Sequence, residues 1–312
     1  MMVAASIEVL MYSRSIVPTA LVLLLCSCVE PPLIADASLP AVERNGIDWG
    51  ALPEVIDGPG AEAWLTRHPD GRVIVFGRHD KDYKNHRLFV TRFAGDRWSE
   101  PEALPFSRDV SATAPHFAPD GRSLLFISSR SLAGEERTGP DREGNVWRVS
   151  WDGESWGQPR QLPAQVNSPA TEIDAVEVNS GAIYFSSMRP GGKSGLPDLY
   201  RAVPEGNGYR VEPLSAFNTE HTESTIYVTP DESLLFFHRQ DDPVGLGKDD
   251  LFVARRLGTG WGPPIHLGGG VNSAEYEYGP ELSRDGSTLY FTTHRSGQGG
   301  LMAVKLSEAL ER

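Results

Sequence analysis

Five stretches of this chain repeat one pattern, and that self-similarity limits the possible folds more than any other feature. They are Glu62–Arg78, Ala112–Arg130, Glu172–Arg189, Glu223–Arg239 and Glu277–Arg295. Each runs through apolar alternation, turns, and ends a second apolar run on arginine; all but the second open on glutamate. The turns centre on Gly71, Gly121, Gly181, Glu232 and Gly286, which lie 50 to 60 residues apart. Alternation predicts half-buried strands. Asp-Gly between two such strands predicts a hairpin, because glycine supplies the positive φ that a primed turn needs. Asn179-Ser180-Gly181 and Asp231-Glu232 are weaker versions of that turn.

Two more strands follow each hairpin. Third strands begin near Leu88-Phe89, Val146-Trp147, Leu199-Tyr200 and Leu251-Phe252. Fourth strands follow an aromatic residue and carry proline and leucine, as in Trp98…Pro101…Leu104, Trp156…Pro159…Leu162, Tyr209…Pro213-Leu214 and Trp261…Pro264…Leu267. Proline suits an outer edge strand, where a missing N–H does little harm. The spacing is blade-sized, somewhat longer than the ~40–45 residues of a WD-type blade. The fold class read is all-β: a β-propeller of four-stranded antiparallel blades, five in number, with six (one of them degenerate) as the alternative. Gly (32) and Pro (24) are abundant enough for the many turns this requires.

The fifth repeat ends at Leu301–Leu306 without a fourth strand. Trp49-Gly50-Ala51-Leu52-Pro53 resembles Trp156-Gly157-Gln158-Pro159, so an N-terminal strand is expected to complete the last blade and close the ring.

Residues Ile16–Leu25 are an apolar run preceded by Arg14 and followed by Cys26-Ser27-Cys28. This is the pattern of a secretory signal, too short for a spanning helix of ~20 residues. Leu25-Cys26-Ser27-Cys28 resembles the bacterial lipobox, which implies acylation of Cys28. Cys26 fits less well, because Leu25 would then take the place of the small residue. Several acyl chains make a lasting anchor at ~0.8 kcal/mol per buried methylene. Val29 follows where an aspartate would retain a lipoprotein at the inner membrane. In a Gram-negative cell the resemblance therefore implies the periplasmic face of the outer membrane. The expected organisation is signal peptide 1–27, lipidated tether 28–45 and propeller 46–312, with Met11 as an alternative start to Met1. A net charge of -13 argues against a nucleic-acid partner and against docking on anionic head groups. Membrane contact is thus expected through the lipid alone.

Pro119-Asp120-Gly121 with Leu124-Leu125-Phe126, and Arg284-Asp285-Gly286 with Leu289-Tyr290-Phe291, resemble the WD40-like (PD40) repeat of TolB-like periplasmic proteins. The resemblance covers about Trp49 to Leu306. It implies the fold far more specifically than a function. The peptidase or cell-wall chemistry of fuller members is not expected, because no second domain is read here.

The start of each first strand and the end of each second strand fall on one face, since the strands are antiparallel. That rim is expected to carry Glu62, Glu172, Glu223 and Glu277 near the channel, with Arg78, Arg130, Arg189, Arg239 and Arg295 outside them. Asn167-Ser168, Asn218-Thr219 and Asn272-Ser273 add to it. One reading is structural: each Glu accepts bonds from neighbouring backbone, and each Arg pairs with an acid opening the third strand, as Arg189 with Asp198 and Arg239 with Asp250. The other is a partner-binding face at the channel mouth. Its carboxylates have the oxygen chemistry to hold a hard cation; no other cofactor is expected.

His79, His116, His221, His238 and His294 lie near strand ends. Imidazole is a transition-metal ligand, but no His-x-x-x-His spacing supports a site, so no metal is named and exposed rim histidines are the plainer account. Gly192-Lys193-Ser194 lacks the first glycine and the context of a phosphate loop. No G-x-S-x-G or H-E-x-x-H occurs, and no catalytic residue is assigned. The expectation is a monomeric envelope module binding a protein or glycan. The alternative is a carbohydrate-active hydrolase or lyase using two rim carboxyls ~5–9.5 Å apart. The loop Ser131–Gly144 is expected to lie exposed on the same face.

Overall fold

The computed structural model describes residues 50–80, 84–130, 144–191 and 196–310. All of these fall within one compact unit, Ala37–Arg312. The signal, Cys28, the tether, Trp49 and residues 131–143 of the long loop lie outside them.

Five antiparallel sheets follow one another along the chain. The first holds β1 (Ala61–Arg67), β2 (Val73–His79), β3 (Arg87–Ala94), β4 (Arg97–Trp98) and β5 (Glu102–Ala103). The second holds β6 (Ala112–Phe117), β7 (Ser123–Ser128), β8 (Asn145–Ser150) and β9 (Arg160–Gln161). In the third are β10 (Glu172–Glu177), β11 (Ile183–Ser187), β12 (Asp198–Glu205) and β13 (Gly208–Pro213). The fourth contains β14 (Glu223–Val228), β15 (Leu234–Gln240), β16 (Asp249–Leu257), β17 (Gly260–Trp261) and β18 (Ile265–His266). The fifth contains β19 (Glu277–Leu282), β20 (Thr288–Thr293) and β21 (Gly300–Lys305).

First strands pack in a cycle: β1 on β6, β6 on β10, β10 on β14, β14 on β19 and β19 on β1. The protein is therefore a five-bladed β-propeller. Its core is a set of apolar seams between blades. Val75, Phe117, Phe126 and Trp147 join the first two blades. Ile183 and Phe185 pack with Leu125 and Ile127 between the second and third. Phe236, Phe237, Phe252 and Phe291 fill the last seams.

Proline sets the shape of the outer strands. In the first blade the ladder breaks around Pro101, between β4 and β5, and in the fourth around Pro263 and Pro264, between β17 and β18. The outer strand of the third blade has no proline before its last residue, Pro213, and runs unbroken for six residues. The fifth sheet has three strands among the described residues. Gly50–Pro53 reaches the seam there as coil. Leu52 packs on the cluster holding Leu65, Phe76 and Tyr290, and the Ala51 carbonyl accepts a bond from Arg67 Nη2 at 3.0 Å. Pro53 can donate nothing to a ladder, and a 3-10 turn at Glu54–Ile56 bends the chain away.

The hairpins differ from the primed turn expected. The Gly71 N–H donates to the His68 carbonyl (2.8 Å), placing Pro69 and Asp70 at the centre and Gly71, with φ +78°, after them. This is a type I turn with a glycine bulge. Pro69 enforces it, because its ring holds φ near −65° and a primed turn needs positive φ there. At the fourth turn Glu232 takes the glycine's place, with φ +58°. Its carboxylate compensates by accepting bonds from Tyr184 (2.5 Å), Arg201 (2.9 Å) and Ser180 (3.0 Å) of the third blade.

Every first strand carries a bulge, which resets which side chains face the axis. Trp64, Ala114, Thr225 and Gly279 sit at these bulges with φ between +44° and +60°. Because it recurs, this strain belongs to the fold.

Candidate functional site

The arginines of the expected rim are built alike. Nη2 of Arg78, Arg130, Arg189, Arg239 and Arg295 donates to the carbonyls of Ile56, Phe106, Val166, Phe217 and Val271, each in the segment preceding its blade. Each guanidinium also lies over an aromatic ring of its own blade, for example Arg239 over Phe252 at 5.0 Å.

The glutamates complete this clamp. Glu223 accepts from Thr219 N–H (2.9 Å), Thr219 Oγ1 (2.5 Å) and Arg239 Nε (2.6 Å). Glu277 accepts from Ser273 Oγ (2.7 Å) and Thr293 Oγ1 (2.6 Å), with Arg295 at 3.9 Å. Glu172 accepts from Ser168 Oγ (2.7 Å) and Arg189 (3.3 Å), and Glu62 from Arg78 (2.9 Å). Burial pushes the Glu62 and Glu172 carboxyls up, against the pull of these partners. Glu172, Glu223 and Glu277 have no exposed surface. The asparagines bind the preceding blade. Asn167, Asn218 and Asn272 each accept the N–H and donate to the C=O of one third-strand residue, namely Val146, Leu199 and Leu251.

Asn-Ser/Thr-x-x-x-Glu is thus a stitch: the Asn holds the blade before, and the Glu holds the Arg of its own blade. Where Ala112 replaces the glutamate, Arg130 Nη1 has no partner among the described residues, and burial pulls its pKa down. The ion pairs of Arg189 and Arg239 run to Glu172, and to Glu223 and Asp242. The third-strand acids Asp198 and Asp250, expected as their partners, stand opposite Ser187 and Arg239 in the ladder. The four rim glutamates are engaged in the walls and present no pair of free carboxyls to an open cleft.

The same mouth holds a different constellation. A cavity of about 320 Å³ is lined by Trp64, Ser224, Thr225, His238, Asp249 and Tyr278, among others. The rings of Trp64 and Tyr278 lie 5.3 Å apart. Thr225 Oγ1 accepts the Gly279 N–H (3.1 Å) and shares a hydrogen bond with His238 Nδ1 at 2.7 Å. The other ring nitrogen, Nε2, lies 3.8 Å from Asp249 Oδ2. Burial lowers the pKa of His238 and raises that of Asp249. Asp249 Oδ1 is buried and has no hydrogen-bond partner among the described residues. A ligand hydroxyl or amide reaching this wall would satisfy it. Of these residues the sequence reading singled out only His238. Trp64 and Tyr278 stood in the repeats as ordinary strand aromatics, and Asp249 carried no signal beyond opening a third strand.

Of the other histidines, His79 lies beside His86, with ring centres 4.9 Å apart, and His294 beside Tyr276 and Tyr278. No group of three or more His, Cys, Asp or Glu residues is arranged to hold a metal ion among the described residues.

Comparison with solved structures recovers propellers. A TolB-like protein from Agrobacterium tumefaciens matches with a TM-score of 0.51 and 14% identity over 81% of this chain and 80% of that one. A gluconolactonase from Xanthomonas campestris matches at 0.50 and 14%, over 82% and 75%. A glycoside hydrolase matches at 0.53 and 8%, over 80% and 88%. A prolyl endopeptidase also matches, at 0.44 and 15% identity, and the chain spans 32% of its length. At these identities the likeness is one of fold. No protein-family model and no curated protein matches the chain. The neighbours carry different activities, so the fold does not choose among them.

Proposed function

We propose that this chain is the propeller of a cell-envelope lipoprotein, anchored through Cys28 on the periplasmic face of the outer membrane, and that it binds a glycan or a glycan-bearing partner. The observation that carries the binding reading is the mouth itself. Two aromatic rings flank a cavity in which a buried carboxylate oxygen lacks a partner among the described residues. Sugars suit such a wall. Their C–H faces stack on aromatic rings, and their hydroxyls bond carboxylates and side-chain hydroxyls that are otherwise costly to leave unpaired.

This reading assigns the clamp residues Glu62, Glu172, Glu223, Glu277, Arg78, Arg130, Arg189, Arg239 and Arg295 to the walls that hold the mouth open. Contact falls to Trp64, Tyr278, Asp249 and their neighbours. The test is calorimetric titration of the mature protein with a panel of neutral oligosaccharides, including the β-1,4-linked tetramer of N-acetylglucosamine. A ligand of the wild type should lose about tenfold or more in affinity with Asp249→Asn, the worth of one charge-assisted bond. No binding across the panel, or equal binding to Asp249→Asn and Tyr278→Ala, would overturn it. The anchor is tested separately: Cys28→Ser should abolish incorporation of labelled palmitate, and continued labelling would refute it.

A further inference from the structure

The channel has a second mouth, on the face of the hairpin turns, and its lining follows a different logic. A chamber of about 230 Å³ opens there, walled by all five blades. At one position of the first strands, the same number of residues before each turn position Gly71, Gly121, Gly181, Glu232 and Gly286, stand Thr66, His116, Val176, Tyr227 and Glu281. The fold asks one thing of this position at two seams. Thr66 Oγ1 accepts the Phe117 N–H (3.1 Å) between blades one and two. Glu281 Oε1 accepts the Arg67 N–H (3.0 Å) between blades five and one. A threonine hydroxyl suffices for that tie, so the seam does not explain why a carboxylate stands in blade five.

The second oxygen of Glu281 does something else. Oε2 lies 3.1 Å from Nδ1 of His116, in the second blade. His116 is 4 % exposed and Glu281 5 %. Burying such a pair is costly, and neither residue recurs at this position in the other blades. A carboxylate on Nδ1 fixes the tautomer and the ring orientation. Nε2, the other ring nitrogen, is bonded by no described residue. Phe117, Val228 and Leu282 supply apolar wall around the pair.

We infer that this chamber is a binding site, separate from the mouth assigned above, for a small apolar molecule bearing one hydroxyl. The hydroxyl, which can donate or accept, meets His116 Nε2, and the apolar body replaces solvent against Phe117, Val176 and Leu282. Glu281 acts as the positioning residue.

Phenol and toluene are the probes, since they match in shape and differ by the hydroxyl. Affinities are read by protein-observed NMR on the mature protein. Phenol should bind at least about tenfold more tightly than toluene, because a site built to bond a hydroxyl penalises its absence. His116→Phe should abolish that preference while toluene still binds. Glu281→Thr supplies the kind of hydroxyl with which Thr66 makes the equivalent tie at another seam, so the variant should fold, yet its preference for phenol should fall. Val176→Trp should exclude both probes. Equal affinities in the wild type, shifts confined to the Trp64 mouth, or an unchanged preference in folded Glu281→Thr would each overturn the inference. Asp249→Asn should leave phenol binding intact, so failure of the glycan reading and failure of this one are told apart.

Discussion

Glu223→Gln tests whether the repeated Glu–Arg pairs hold the blades together or serve a ligand. The substitution keeps volume and removes charge. It replaces an acceptor oxygen with an NH₂ group where Thr219 N–H, Thr219 Oγ1 and Arg239 Nε all donate, at 2.5 to 2.9 Å. Glu223 is fully buried and the Arg239 side chain is 10 % exposed, so water cannot take over the lost bonds. Breaking a buried pair of this kind costs about 3–5 kcal/mol. The second partner of Arg239, Asp242 at 2.8 Å, keeps the guanidinium from being wholly unpaired and favours the lower end of that range. For a domain of this size, with Tm falling roughly 2–4 °C per kcal/mol, the loss should be on the order of 10 °C. The control is the same chemical change at the surface. Glu275 pairs with Lys248 at 2.7 Å, but both side chains are nearly half exposed. Glu275→Gln should therefore cost no more than about 1 kcal/mol. Urea titrations at pH 7.5, with equal m-values confirming the two-state comparison, measure both. Equal costs for the two variants would refute the argument. So would a Glu223→Gln protein of wild-type stability that has lost a ligand.

Three further outcomes are expected. Burial pushes the Asp174 carboxyl up to about 6, with Ser186 and His116 pulling it back. The protonated form is thus favoured in the fold, and the stability it contributes is complete below pH ~4 and lost as pH rises to about 6. Asp174→Asn should accordingly flatten the stability profile over that window and be more stable than wild type at pH 7.5, by about 2–3 kcal/mol; parallel profiles would count against it. Asn218→Ala leaves the Leu199 N–H without the partner it has at 3.0 Å, while the Leu199 C=O loses one donor at 3.1 Å and keeps the Leu214 N–H at 2.9 Å. Chemical denaturation should show a loss of about 1–3 kcal/mol, and wild-type stability would contradict the stitch. Glu232→Gly relieves a left-handed backbone worth about 1 kcal/mol, yet removes the bonds to Tyr184 and Arg201. The balance should remain destabilising in thermal melts, and a gain in Tm would show that the strain outweighs the ties.

The five repeats and their strands were legible because alternation, turn residues and spacing are local properties. So was the recurrence of Glu and Arg at the two ends of each hairpin. Its use was less so. Glu223 and Arg239 face each other across the ladder, on the side turned to the preceding segment rather than to the axis. Which side that is depends on the first-strand bulge, which has no fixed signature: tryptophan, alanine, threonine and glycine occupy it in four blades. The hairpin type was misread for a local reason, because Pro69 forbids the primed geometry that Asp-Gly alone suggests.

By itself the sequence determined the class of fold and the residue types at each repeated position, and it favoured five blades over six, since each follows from periodicity within about 60 residues. Only the tertiary structure decided which of those residues meet. His116 and Glu281 are 165 positions apart, and Trp64 and Tyr278 lie in the first and last blades. Ring closure brings these pairs together, and a contact created by closing a ring leaves no mark in the local pattern of either partner.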